Sequence, residues 1–132
     1  MVLEHVEDPA TLLERVRQSW LDPGGHIAVL VPHALSLHRR LAVTMGIAQH
    51  PGELGPADLR LGHKRCFTYQ ELEELLIATG YKIVERIGLY AKPFPNSLMM
   101  HCTEEQLRGA FGLGLELPIE YAATIYYLAQ PL

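Results

Sequence analysis

The chain has 132 residues, 48% of them hydrophobic and 20% charged, with a formal net charge of −4 and a pI near 5.9. A mean hydropathy of +0.07 argues against a disordered polyelectrolyte. No apolar run reaches the ~18–20 residues of a membrane span, and dispersed Lys and Arg leave no basic stripe for nucleic acid.

A single domain of this length removes roughly two thirds of its unfolded surface from water, enough for a real core. Cys66 and Cys102 are the only cysteines and lack CxxC spacing. Together with the absence of a signal-peptide pattern at the N-terminus, they predict reduced thiols and a cytoplasmic location.

The chain opens on VLEHVEDP, in which Val2 to Val6 read as the exit from a buried strand preceding them. Asp8 suits a helix N-cap and Pro9 the first helical position, and Leu12, Leu13, Val16 and Trp20 share one face of a helix over 9–21. Pro23, Gly24 and Gly25 end it. HIAVLV, residues 26–31, is a continuous apolar run of the kind found in strands buried on both faces. After Pro32, Leu37, Leu41 and Met45 recur at helical spacing up to Gly46.

Residues 47–67, with three glycines and two prolines, show no periodicity and are expected to form a mobile loop or lid. Thr68 and Glu71 make a capping box for a helix that stops at Gly80. YKIVERIGLY then alternates as a half-exposed or edge strand over 81–90. Thr103 and Gln106 suggest a second capping box for a short helix to Phe111, interrupted by Gly112, Gly114 and Pro118, with the Gly-x-Gly read as a turn. ATIYYLAQ closes the chain as a strand near 124–130. The expectation is an α/β domain of about three strands and about four helices.

The order of these words, VLEHVEDP, a helix, WLDPGGHIAVLVPHA, SLHRRL, LGHKRCFTYQELEELLIATGYKIVER and a closing strand, resembles the C-terminal half of class I S-adenosylmethionine-dependent methyltransferases of the small-molecule or sugar-modifying type. The resemblance covers nearly the whole chain. It implies an incomplete Rossmann-like sheet in which 26–31 lies beside an absent fourth strand. The antiparallel strand 124–130 would lie on its other side, with 81–90 outermost. The family's glycine-rich cofactor loop has no counterpart here, which implies that it belongs to a preceding half.

An exposed apolar strand edge is a pairing site. The resemblance therefore implies a homodimer or a partner chain through 26–31, with activity requiring assembly. The alternative is an inactive, truncated dimerisation or interaction module. S-adenosylmethionine is the implied cofactor and a small molecule the implied substrate; nucleic acid and membrane are not expected.

By the same resemblance, Leu3, Glu4 and His5 stand at the strand end where cofactor and acceptor meet. His5 is the implied base, with Glu4 beside it, since imidazole suits proton transfer near neutral pH. Equally, Glu4 and His5 can simply order the loop. His33, Ser36, His38 and Arg39 would face the acceptor from the same rim, against the plainer reading that His38, Arg39 and Arg40 are a solvated helix surface. His63, Lys64 and Arg65 can close on an anionic or sugar-like acceptor, or be an ordinary exposed charge run. YAKPFPNSLMM reads either as a substrate-facing wall or as a cover for the core.

Seven histidines raise the question of a metal. With no H-E-x-x-H and no closely spaced cysteine ligands, the expectation is none. No Gly-x-Ser-x-Gly elbow supports a hydrolase.

Overall fold

The computed structural model describes residues 1–132. One sheet contains β1 (Ile27–Pro32), β2 (Tyr81–Leu89) and β3 (Thr124–Pro131) in the order β1-β3-β2, with β3 antiparallel to both neighbours. The last strand is thus central and 81–89 outermost, as the resemblance implies. There are five α-helices rather than about four: α1 (Pro9–Ser19), α2 (Leu37–Thr44), α3 (Pro56–Arg60), α4 (Tyr69–Ala78) and α5 (Glu104–Glu116).

Local chemistry explains the helix starts. The Asp8 carboxylate accepts the Thr11 N–H at 3.0 Å and opens α1. At α4 the Thr68 hydroxyl accepts the Glu71 N–H at 3.1 Å while the Glu71 carboxylate accepts the Thr68 N–H at 2.8 Å. Because this box satisfies two amides that the helix cannot, Thr68→Ala is expected to lower stability by about 1 kcal/mol in urea unfolding.

The core lies on one face of the sheet. Val29 and Val31 of β1, Ile125, Tyr127 and Ala129 of β3, and Tyr81 of β2 pack with Leu13 of α1 and Leu72 and Leu76 of α4. Two phenols tie the layers together: the Tyr81 hydroxyl donates to the Leu13 carbonyl at 2.8 Å, and that of Tyr127 to the Tyr69 carbonyl at 3.1 Å. Burial, reinforced by the Glu73 charge, pushes the Tyr127 phenol up to about 12.

Four expectations need correction. β1 is buried on one face only; Ala28 and Leu30 point to the opposite, exposed side. Its sole strand neighbour is β3, and α5 packs beside β2. Residues 47–67 are not uniformly irregular, since Pro56 opens α3. The alternation of β2 breaks at a bulge between Ile83 and Glu85, which leaves Val84 exposed.

The fourth concerns Gly112 and Gly114, which do not form a turn: α5 runs through both to Glu116. Gly114 is a contact glycine. A Cβ there would stand 2.3 Å from the backbone nitrogen of Tyr90 and 2.6 Å from that of Ala91. Such an approach lets the Ala91 N–H donate to the Ala110 carbonyl at 2.8 Å and fixes α5 against the end of β2. Tyr90 itself adopts φ +67°.

Candidate functional site

Three stretches meet at the C-terminal end of β1, where open α/β sheets place their ligands. They are the turn 3–7, the segment 33–39 and the segment 58–67. His33 forms a parallel bridge with Phe67, and the Ala34 N–H donates to the Phe67 carbonyl at 2.8 Å. The Lys64 N–H donates to the Glu4 carbonyl at 2.8 Å. Arg65 spreads its guanidinium over the turn, donating to the carbonyls of Val6 at 2.7 Å and Glu7 at 3.0 Å. Lys64 also pairs with Glu7.

Glu4 occupies the centre. Its side chain is 0% exposed and neither carboxylate oxygen has a hydrogen-bond partner. The nearest cationic candidate, His5 Nε2, lies 3.8 Å from Oε1, beyond hydrogen-bonding reach. A buried carboxylate without donors is costly, and such groups mark places where something further is expected to bind.

His5 and His63 flank Glu4, their rings edge to face with centroids 4.8 Å apart. His5 Nδ1 lies 3.2 Å from the Gly62 carbonyl. A carbonyl only accepts, so Nδ1 carries a proton, and in the neutral imidazole Nε2 is the lone-pair atom. Gly62 reaches that position with φ +77°, a conformation that favours glycine. His63 is oriented likewise: its Nδ1 lies 3.1 Å from an Asp58 oxygen. Burial alone would raise the Asp58 carboxyl, but the Arg39 guanidinium and donors from Gly55, Arg39 and His63 outweigh it and hold the carboxyl below its ordinary range.

Arg39 is the anchor. It donates to Asp58 at 2.9 Å, to the Glu53 carbonyl at 2.9 Å and to the Pro51 carbonyl at 3.3 Å. The segment read as a lid is therefore tethered to α2. Nor are its neighbours a solvated surface. Arg40 donates to the Leu35 carbonyl and lies over the Tyr121 ring. His38 Nδ1 is hydrogen-bonded to the buried Ser36 hydroxyl at 3.1 Å, and burial, with Lys92 and Arg39 nearby, depresses the imidazole to about 3. His38 is neutral at physiological pH.

Of the remaining expected residues, Leu3 packs its side chain into the core. His33 is fully buried, its Nδ1 hydrogen-bonded to the Ala122 carbonyl at 3.0 Å, and burial lowers its pKa. It joins the end of β1 to the start of β3 and lies outside the His5–His63 pair. Sequence reasoning missed Asp58 and Lys92. The signal for Asp58 is its place at the third helical position of α3, three residues after Gly55 and two after Pro56, which opens the helix. Burial raises the Cys66 thiol, so it ionises less readily than a free one.

A concavity of about 460 Å³ runs between α1 and β1 and is lined only by hydrophobic residues, among them Val16, Trp20, Ile27 and Leu30. No titratable side chain lines it.

A family model described as a methyltransferase domain matches residues 1–86. The chain belongs to the methyltransferase domain family. Its fold is also that of a solved S-adenosylmethionine dependent methyltransferase from Mesorhizobium loti, at 17% identity and a TM-score of 0.56. The match covers 98% of this chain and 58% of that one, so the chain spans little more than half the length of its solved neighbour. No curated protein matches the sequence. No helix is long and apolar enough to cross a membrane.

The fit of this methyltransferase chain to S-adenosylmethionine is partial. Its only Gly-x-Gly lies inside α5, and no strand–glycine loop–helix unit occurs among these residues. These residues therefore offer no cradle for the whole cofactor.

Proposed function

We propose that this chain supplies the acceptor-side rim of an S-adenosylmethionine-dependent methyltransferase acting on a small molecule. The observation that carries the reading is the convergence of turn 3–7, segment 33–39 and segment 58–67 at the C-terminal end of β1, in a chain of the methyltransferase family. S-adenosylmethionine supplies the methyl group when bound. Methyl transfer depends chiefly on alignment, so the rim's task is to orient the acceptor and exclude water. His5 Nε2, with its lone pair free, can take the acceptor's proton. Arg39, His63 and Arg65 fix the walls.

Calorimetry with S-adenosylhomocysteine tests the reading on the purified chain. With the glycine-rich cradle absent from these residues, weak binding in the millimolar range, lost in His5→Ala, is the expected result; no binding at tens of millimolar ligand overturns it for this chain alone.

One observation favours a second reading, an interaction module that joins a second copy. β1 stands at the sheet edge with its outer side unpaired, beside the apolar groove in which Trp20 is 74% exposed. Two β1 edges side by side would satisfy the free amides and cover the groove. Sedimentation at micromolar concentration is expected to show a dimer that Leu30→Lys dissociates; a strict monomer rejects this reading.

A further inference from the structure

We propose that Glu4, His5 and His63 form a binding site for a divalent transition-type cation, of which Zn²⁺ is the best fit. One ligand-capable atom from each of the three lies within 4.8 Å of the others. Independently, the Glu4 carboxylate is fully buried, with both oxygens unpartnered. A cation is the partner such a carboxylate lacks, and no Lys or Arg side chain bonds to it.

The second layer of contacts is that of a metal site. Metal-bound imidazoles donate their other ring nitrogen to a carbonyl or carboxylate, which fixes tautomer and ring direction. His5 does this to Gly62 and His63 to Asp58. In the neutral imidazoles Nε2 is then the lone-pair atom of both, and Asp58 is in turn held by Arg39 and by the Gly55 N–H at 3.0 Å.

Ligands on Zn²⁺, at bond lengths of about 2.0–2.2 Å, stand roughly 3–3.5 Å apart. Closing on the ion then asks for a shift of about 1 Å, available to His5, whose side chain is 37% exposed. Two imidazoles and one carboxylate suit Zn²⁺, Co²⁺ or Fe²⁺, whereas Ca²⁺ and Mg²⁺ require mainly oxygen ligands. Three protein ligands would leave at least one position open for water or an oxygen-bearing ligand. The ion also clamps turn 3–7 to segment 58–67. The inference stands apart from methyl transfer; in the ion-bound state His5 holds the cation instead of a proton.

The test uses the metals alone on the untagged full chain. Co²⁺ is expected to give the visible absorption of a low-coordinate site at one equivalent, displaced by Zn²⁺, with Ca²⁺ and Mg²⁺ without effect. Glu4→Gln, His5→Gln and His63→Gln should each weaken Co²⁺ affinity at least about 100-fold, and Asp58→Asn about 10-fold through His63. His50→Gln and His101→Gln should leave it unchanged. Glu4→Gln keeps the side-chain shape, and His63→Gln provides the same readout should the Glu4 variant not fold. Absence of the Co²⁺ band, or a band that survives both Glu4→Gln and His63→Gln, overturns the proposal.

Discussion

Gly114→Ala is expected to cost about 3 kcal/mol of stability, while Gly112→Ala, two positions earlier in the same helix, should gain up to about 1 kcal/mol. Both replace glycine by the best helix former, so propensity predicts a gain at each. Surroundings decide otherwise. A methyl at Gly112 meets nothing within 4 Å, whereas at Gly114 it meets three backbone atoms of Tyr90 and Ala91 at 2.3–2.7 Å. Backbone cannot turn aside as a flexible side chain does, and withdrawal of α5 would break the bond from Ala91 to Ala110. Urea unfolding of the two variants checks this; equal effects would mean that α5 does not press on the end of β2.

Arg39→Ala is expected to cost about 2–4 kcal/mol, because it strands a partly buried carboxylate and two carbonyls together. The loss should depend on pH. Asp58 sits below its ordinary value of 3.8 in the folded chain. A depressed carboxyl stabilises the fold above the unfolded value, and that contribution disappears as pH falls through the folded value. Without Arg39, burial is opposed only by the Gly55 and His63 donors, so the Asp58 carboxyl rises from its depressed value. The gap between parent and variant should therefore be full near neutral pH and narrow as pH falls through the folded Asp58 value, below 3.8, leaving the part that belongs to the two carbonyls. Chemical denaturation across that range measures it, and a gap independent of pH would place the effect outside the Arg39–Asp58 pair. Amide exchange over 55–63 should quicken in the variant, since Arg39 alone bridges α2 to Pro51, Glu53 and Asp58.

The features legible in the sequence were those whose cause is local. The Thr68–Glu71 box, Asp8 with Pro9, and the apolar run 26–31 all declare themselves within a few residues, and the sheet order came from the family resemblance. What sequence could not show was tertiary in origin. Gly112 and Gly114 look alike as helix breakers, and only the approach of Tyr90 separates them. The bulge at Val84 inverts an alternation that reads as regular. At the site, Glu4 and His5 were visible as neighbours, but Asp58 and His63 reach them across more than fifty residues through Arg39. Nothing in the spacing of 47–67 marks Asp58 as the residue that aims His63. The same distance hid the three-residue cluster from a search for metal motifs, which looks for ligands close together in the chain.

The place of β3 has a consequence for how the chain acquires its shape. β1 and β2 share no hydrogen bonds with each other; every rung of the sheet runs through β3, so that Val31 waits for Ile125 and Ile83 for Ala129. While the ribosome is still delivering the final strand, its two neighbours must remain apart, with Val29, Val31 and Tyr81 wetted. Closure is then a late event with long loops to draw in, and sheets built from such distant pairings form slowly, with apolar surface exposed in the meantime.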